Sequence, residues 1–394
     1  MEPPAAPVDA AGLERALAPF GHSRMLPAEA YTSAEVLRWE ERAFFEGSWF
    51  CAGRASDVAE PGAQRAVRVG SEGVLLVRDG GGTLRGFFNV CRHRGHELLE
   101  VGDARQHTVI RCPYHAWVYD LDGTLRGAAG FEETPAEALA PVAVAEWLGW
   151  VFVNASAEVT PFAEHAGGLD ALLAPWEPER LMVAAREEYE VRANWKIVGE
   201  NYHECYHCSS IHPELCRVSP PDSGENLEPD GAWVGGFMEL LDRAETMSIS
   251  GRSDGVVLPG LDERLRRQVL YVHVFPNLLV SLHPDYVLTH RLQPTAPDRT
   301  TVQCEWLFPP EAVGRDGFDP AYAVEFWDVT NREDWRACES VQRGVSSRAF
   351  RPGPLSPRED AVYRFITLVA KGYRDGKVTT PSPVAAPAAP ALGS

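Results

Sequence analysis

The stretch Asn194–Pro213, NWKIVGENYHECYHCSSIHP, decides how the rest of the chain is interpreted. It places a carboxylate and two imidazoles at the spacing Glu204-x2-His207-x4-His212. On a helix, residues three apart share a face, so we expect Glu204 and His207 to lie together. Pro213 stops a helix, which places His212 one turn on or just past a helix end. Two imidazoles on one side favour an iron, zinc or copper site.

Composition indicates a globular protein with more than one domain. The chain has 394 residues, of which 45% are hydrophobic and 24% charged. Its net charge of −19 argues against nucleic acid and anionic membranes, because both need a basic face. No apolar run of about 18 residues and no signal peptide is recognisable. We therefore predict a cytoplasmic protein whose eight cysteines are metal ligands or buried thiols rather than a disulfide framework.

The pattern along the chain divides it into four parts. They are an arm with the start of the first helix (1–39), a first domain (40–155), a second domain (156–376) and a Pro/Ala-rich tail predicted to be disordered (377–394). We expect residues 1–30 to be irregular and Ser33 to cap the first helix.

The first domain is predicted to be all-β, because short apolar strands alternate with glycine clusters. Its strands are expected at 65–69, 73–79, 84–91, 108–112, 116–125 and 149–154. The second domain is predicted to combine an antiparallel meander with helices. It has a strand at 187–195, a long excursion at 217–262, closely spaced strands from Val269, and helices at 320–344 and 357–375. The fold class is therefore α+β.

A second group of cysteines and histidines lies in the first domain, as Cys91-x-His93 and Cys112-x2-His115. These four side chains could form a structural zinc site or hold a [2Fe–2S] cluster through two thiolates and two imidazoles. Each loop supplies one cysteine and one histidine, as two opposed loops around a two-iron cluster must do. Pro113 stiffens the second loop, and the Tyr114 hydroxyl or backbone N–H groups can bond cluster sulfurs. We favour the cluster.

These two motifs together resemble a known family. CRHRGHELLE (91–100) with CPYHAWVYDLDG (112–123) resembles the Rieske motif, and ENYHECYHCSSIHP (200–213) resembles the mononuclear-iron motif of Rieske non-heme iron oxygenase alpha subunits. The closest resemblance is to the glycine betaine, carnitine and choline monooxygenase type. It implies an N-terminal all-β Rieske [2Fe–2S] domain and a helix-grip catalytic domain, an antiparallel sheet with helices, holding mononuclear Fe(II).

The resemblance also implies the ligands. Cys91 and Cys112 would bind one cluster iron, and His93 and His115 the other. His96 and His107 fall outside the pattern and are expected to face solvent or to be hydrogen-bonded. His207 and His212 match the imidazole ligands of the mononuclear iron. The third ligand is expected in NREDWRACESVQRG (331–344), as Asp334 rather than Asp328 or Glu333.

Glu204 stands where most members of the family have aspartate. The resemblance implies that it relays electrons from the Rieske histidine of one subunit to the iron histidine of the next, in a head-to-tail homotrimer. The alternative is that Glu204 only orients His207. Cys205 and Cys208 could form a redox or zinc pair, but we expect small buried side chains pointing elsewhere on the helix.

The resemblance implies a reaction that uses O2 and electrons from a separate NAD(P)H-dependent reductase. No Gly-rich dinucleotide fingerprint follows a strand here, so this chain is not expected to bind NAD by that route. N-methyl or quaternary ammonium oxidation, by N-demethylation or C-hydroxylation, is favoured. Aromatic ring mono- or dioxygenation is the alternative, and a Rieske electron carrier or a zinc-stabilised binding protein would be another class. A cation pocket needs aromatic faces, for which the candidates are Trp233, Phe237, Tyr271, Phe275 and Trp306, although core packing is expected for most.

Overall fold

The computed structural model describes residues 5–384, which form an all-β part followed by a mixed part. The strands of the first part are β1 (Phe50–Arg54), β2 (Ala63–Val69), β3 (Glu72–Arg78), β4 (Leu84–Phe88), β5 (Ala104–Gln106), β6 (Ile110–Arg111), β7 (Val118–Tyr119), β8 (Leu125–Gly127), β9 (Pro141–Trp147) and β10 (Trp150–Asn154). Those of the second part are β11 (Met182–Val191), β12 (Glu225–Asn226), β13 (Trp233–Glu239), β14 (Gln268–Val274), β15 (Leu278–Leu282), β16 (Val287–Ala296) and β17 (Arg299–Phe308).

Helices flank the first part and cover the second. They are α1 (Ala10–Ala16), α2 (Glu29–Thr32), α3 (Ala34–Glu40), α4 (Phe162–Ala166), α5 (Leu169–Leu173), α6 (Trp195–Tyr202), α7 (Cys208–Ile211), α8 (Pro213–Cys216), α9 (Pro310–Val313), α10 (Ala321–Val345) and α11 (Asp360–Asp375). A π-helical turn (Glu41–Glu46) extends α3, and 3₁₀ turns occur at Ala55–Val58, Ala174–Trp176, Pro178–Arg180 and Leu265–Arg267. Across residues 5–384, every helix is too short or too polar to cross a membrane.

Two seven-stranded antiparallel sheets organise the chain. The first has the order β1-β10-β9-β4-β3-β2-β5, and the small sheet β6-β7-β8 lies beside it. The second has the order β11-β17-β16-β15-β14-β13-β12, so the predicted meander is present as four consecutive neighbours, β14 to β17. The helices α10 and α11 both pack against α6. This packing brings two segments to the same face of the large sheet. One is α6–α8, which carries Glu204, His207 and His212, and the other is α10, which carries Asp334.

The two parts share a continuous apolar core. Trp150 and Phe152 of β10 belong to the same buried cluster as Leu270 and Val272 of β14. At this junction the Asn277 side chain accepts a hydrogen bond from the Cys51 backbone N–H (2.9 Å) and donates one to the Cys51 carbonyl (3.0 Å). Satisfying these buried backbone groups with one amide fixes the first sheet against the second.

The N-terminal segment is more ordered than its composition indicates. For residues 5–30 the prediction of an irregular segment is wrong, because α1 and the start of α2 lie there, whereas residues 1–4 lie outside the described residues. Asp9 caps α1 by accepting the Gly12 N–H (2.8 Å), and Leu13 and Ala16 are buried, with α1 packed on α11. The predicted cap at Ser33 is confirmed, since its side chain accepts from two backbone N–H groups of α3.

Some predicted boundaries differ in the structure. The strand expected at 84–91 ends at Phe88, and the excursion at 217–262 contains β12 and β13, which join the edge of the large sheet. Of the predicted tail, residues 377–384 are described and lie along α11, where Ser382 N–H donates to Thr367 (2.9 Å). Residues 385–394 of that predicted disordered tail lie outside the described residues.

Candidate active site

The segment that carries Glu204 and His207 is a turn between two helices. The helix α6 is capped by Asn194, whose side chain accepts the Lys196 N–H (3.0 Å), and it ends at Tyr202. The prediction that Glu204 and His207 share a helix is therefore wrong. The physical reason is that the Glu204 carboxylate accepts the backbone N–H of His207 (3.0 Å), which closes a turn in place of the helical bond.

Two imidazoles and one carboxylate converge at this turn. The Nε2 atoms of His207 and His212 are 3.1 Å apart, and Asp334 Oδ1 lies 3.0 Å from His212 Nε2 and 3.3 Å from His207 Nε2. Ligand atoms about 2.1 Å from one ion and at right angles to one another are about 3 Å apart. The three atoms thus fit one face of an octahedral metal ion such as iron(II).

Each imidazole is oriented by a second carboxylate. The Nδ1 of His207 is hydrogen-bonded to Glu204, and the Nδ1 of His212 lies 2.8 Å from Glu333 Oε2. These acceptors fix a proton on Nδ1 and leave each Nε2 lone pair directed at the shared point. Burial lowers the pKa of His207, but hydrogen bonds to Asp334 and Glu204 outweigh this effect and raise that pKa to about 9. The excess of carboxylates makes this point favourable for a cation.

The three acidic candidates on α10 have different surroundings. Asp328 accepts from the Tyr189 hydroxyl (2.7 Å) and pairs with Arg332 (2.8 Å), so its charge is already engaged. Glu333 contacts the outer nitrogen of His212, and Asp334 contacts both inner nitrogens. Among these three, the structure therefore places only Asp334 where a third ligand would be.

The cysteine and histidine pairs of the first part also come together. The rings of His93 and His115 are 4.6 Å apart, and both are partly exposed. Cys91 and Cys112 are buried in the domain core; burial and the neighbouring Cys91 raise the pKa of the Cys112 thiol. Two inner thiols and two outer imidazoles suit a two-iron group bound with its histidine side at the surface.

The aromatic contacts around these pairs differ from the prediction for Tyr114. The Tyr114 side chain is 55% exposed and its ring lies against His115, so its hydroxyl does not bond a cysteine sulfur. The predicted backbone contacts are present, since the N–H groups of Tyr114 and His115 bond the Cys112 sulfur. The hydroxyl that contacts a sulfur belongs to Tyr119, 3.2 Å from Cys91 Sγ, and Trp117 stacks on His93 with centroids 4.8 Å apart. Their alternation in AWVYD marks both as inward-facing, which is the signal that could have identified them.

The remaining candidate residues are two histidines of the first part and two cysteines at the turn between α6 and α7. His96 and His107 are exposed, as expected. Cys205 and Cys208 form a disulfide, so the prediction of two small buried thiols is wrong. The turn that replaces the helix brings their Cα atoms to 4.8 Å, within the usual range for a disulfide.

A cavity of about 350 Å³ opens onto the three converging side chains. Its inner wall includes Tyr202, Tyr271 and Trp327, with neighbouring ring centroids 5.9 Å and 6.5 Å apart. The Tyr271 hydroxyl is buried and has no hydrogen-bond partner within residues 5–384. Successive rings at steep angles to one another present aromatic faces and edges to a small guest.

Only part of this wall agrees with the predicted aromatic candidates. Phe237 and Tyr271 line the cavity, whereas Trp233, Phe275 and Trp306 are buried core residues, the role expected for most of the set. Trp327 was missed. It precedes Asp334 by seven residues, two turns of α10, so helical periodicity could have placed it on the face of the third ligand.

Comparison with known proteins gives the family. Residues 48–139 match the family profile described as "Rieske [2Fe-2S] domain", and residues 178–374 match "Ring hydroxylating alpha subunit (catalytic domain)". The carnitine monooxygenase oxygenase subunit of Escherichia coli (strain K12) is 38% identical over 372 residues, covering 89% of this chain and 94% of that protein.

The chain belongs to the Rieske non-heme iron oxygenase alpha subunits.

Other Rieske oxygenases extend the comparison. The glycine betaine monooxygenase oxygenase subunit of Chromohalobacter salexigens is 30% identical over 84% of this chain and 81% of its own length. The quaternary ammonium Rieske monooxygenase CntA in complex with L-carnitine superimposes with a TM-score of 0.74 at 27% identity, covering 89% and 96% of the two chains. Naphthalene 1,2-dioxygenase from a Rhodococcus species, 19% identical with a TM-score of 0.70, shares the fold.

The predicted class is confirmed by these findings. The α+β fold with a Rieske domain before the catalytic domain, the O2-dependent oxidoreductase class, and the cofactor pair of a [2Fe–2S] cluster and mononuclear iron all agree with the family. The structure therefore supplies one oxygenase chain with two separate places for iron.

Proposed function

We propose that this protein is the oxygenase component of an enzyme that hydroxylates a trimethylammonium compound at an N-methyl or adjacent carbon. The observation that carries the proposal is the wall of Tyr202, Tyr271 and Trp327 beside the converging His207, His212 and Asp334. A quaternary ammonium group cannot donate hydrogen bonds and is recognised by aromatic faces. The named relatives act on glycine betaine, carnitine and choline, which supports the same substrate class here.

The proposed metal ligands follow from the geometry. His207 Nε2, His212 Nε2 and Asp334 Oδ1 would hold the mononuclear iron, and Cys91, His93, Cys112 and His115 would hold the cluster. When bound, the iron supplies dioxygen activation and the cluster supplies single electrons. The chain's own contribution is to hold the Nδ1 proton of each imidazole on Glu204 or Glu333, so that Nε2 is the atom that faces the iron, and to hold the substrate cation against aromatic rings.

We assign Glu204 the relay between a neighbouring subunit's cluster and His207, within a homotrimer. Its carboxylate is in contact with His207 Nδ1, and the adjacent Tyr206 is 53% exposed. On the Rieske side, Tyr114 is 55% exposed beside His115, and Phe131 is 50% exposed beside His93. One CntA structure is described in connection with inter-subunit electron transfer. A separate NAD(P)H-dependent reductase and a cytoplasmic location remain predictions.

Subunit exchange tests the relay directly. A His115→Ala variant and an Asp334→Ala variant should each be inactive alone. If the electron crosses a subunit boundary, a refolded or co-expressed mixture regains activity, because one subunit supplies the cluster and its neighbour the iron. A mixture as inactive as its components refutes the proposed path.

Substrate class is tested by substrate-dependent oxygen uptake and formaldehyde release with a surrogate reductase. The matched pair is choline and 3,3-dimethyl-1-butanol, its uncharged isostere, beside glycine betaine, carnitine and simple aromatics. We expect oxygen uptake only with charged trimethylammonium compounds. Oxidation of aromatics, with no turnover of any trimethylammonium compound, contradicts the proposal and supports ring hydroxylation.

A further inference from the structure

The cavity has two ends of different chemistry. At the inner end, Trp327 is only 5% exposed and lies beside the proposed iron ligands. At the mouth, the cavity is lined by exposed side chains, among them Tyr206, Asp222 and Arg358. Among the lining residues of the described chain, Arg358 is the only lysine or arginine. For a substrate held by its cation at the inner end, this guanidinium is the one lysine or arginine group that the described cavity wall offers to its other end.

The Arg358 guanidinium is held in place but not neutralised. Its Nη2 donates to the Pro221 carbonyl (3.1 Å), and the central guanidinium carbon, Cζ, lies 5.7 Å from the ring centroid of Tyr206. Within residues 5–384 it forms no ion pair, although Asp222 and Asp360 line the same cavity; Asp360 instead accepts from Asn226 (2.7 Å). A fixed guanidinium with unused N–H donors is suited to a carboxylate, which it binds through two parallel hydrogen bonds.

We propose that Arg358 is the carboxylate-binding subsite of this cavity and that the substrate is a zwitterion, with a trimethylammonium group at one end and a carboxylate at the other. The inference rests on the proposed function and narrows it, because choline-type alcohols lack the second group. Arg358 is thus a specificity-determining residue that contacts substrate but takes no part in the oxygen chemistry.

Because Arg358 contacts Pro221 and Tyr206, it could act by shaping the cavity mouth instead of by binding substrate. The test must distinguish these two roles. We would measure binding of glycine betaine, L-carnitine and choline to the iron-loaded protein by anaerobic isothermal titration calorimetry. The variants are Arg358→Gln and Arg358→Lys. Arg351→Gln is the control, an exposed arginine outside the cavity with the same charge change.

Loss of a charge-assisted hydrogen bond predicts that Arg358→Gln weakens binding of a carboxylate-bearing ligand by about 10- to 100-fold and leaves choline unchanged. Arg358→Lys should fall between, since lysine keeps the charge but not the fork. Equal weakening of choline and the zwitterions, or of none, overturns the subsite while the proposed function stands. Failure of the wild-type protein to bind any trimethylammonium compound overturns the proposed function itself.

Discussion

Replacing Glu333 tests how far an outer carboxylate controls the metal site. Its Oε2 lies 2.8 Å from Nδ1 of His212, a side chain that is only 1% exposed, so the bond is formed largely out of water. A hydrogen bond to a charged group contributes about 1.5–3 kcal/mol, and partners of this kind alter metal affinity by about 10- to 100-fold. Glu333→Gln keeps an acceptor but loses the charge, so we expect about a tenfold loss; Glu333→Ala should approach 100-fold.

The assay is iron(II) binding by anaerobic equilibrium dialysis, after a chelator has removed mononuclear iron and spared the cluster. The visible Rieske spectrum then serves as an internal measure of folding. Glu325→Gln is the control, because Glu325 is an exposed carboxylate on the same helix. Wild-type iron affinity in Glu333→Ala would refute the reasoning, as would a parallel loss of the Rieske spectrum.

Three further predictions concern the relay, the cavity and the partly buried carboxyl group of Glu200. Glu204→Gln should also weaken iron(II) binding, so it is compared with wild type at saturating iron(II). There it should slow single-turnover reoxidation of the cluster by about 10- to 100-fold, followed by stopped-flow absorbance; an unchanged rate contradicts the relay. Trp327→Leu should raise KM for a trimethylammonium substrate by about 2- to 30-fold, which corresponds to about 0.5–2 kcal/mol. Trp327→Phe should be closer to wild type. A wild-type KM in the leucine variant would contradict the role of Trp327 in binding the cation. Burial raises the pKa of Glu200 from 4.5 to about 7, against the opposing effects of Tyr31 and Lys196. A raised pKa means that its contribution to stability is complete below pH 4.5 and is lost as the pH rises through about 7. Relative to Glu200→Gln, the wild type should therefore lose about 2–3 kcal/mol of unfolding free energy between about pH 5 and about pH 8, and equal slopes in urea titrations would contradict this.

Motif spacing was enough to identify the two iron-binding regions, because ligand chemistry restricts which residue types occur together. It did not reveal the partner of each imidazole. Glu333 could be weighed only as an alternative ligand from sequence, since its contact with His212 joins residues 121 positions apart. The helix break at Glu204 was also missed, because a side chain competing for one backbone N–H leaves no periodic signal.

The strands were predicted better than the ends of the chain. Alternating apolar residues and glycine clusters follow directly from the pleat and its turns, which is why the meander from β14 to β17 was recognisable. The α1 helix is short and rich in alanine, and its burial depends on α11, more than 300 residues later. The aromatic wall was unpredictable for the same reason, which is that its contacts join distant parts of the chain. Tyr202, Tyr271 and Trp327 come from three separate elements.

Iron content of the purified protein, measured with its Rieske spectrum, is the most direct test that one chain holds two separate iron centres. We predict about three iron atoms per chain in the wild type, about two in Asp334→Ala with the Rieske spectrum intact, and about three in Asp328→Ala. Full iron content in Asp334→Ala, or loss of the third iron in Asp328→Ala, would contradict the placement of the mononuclear site.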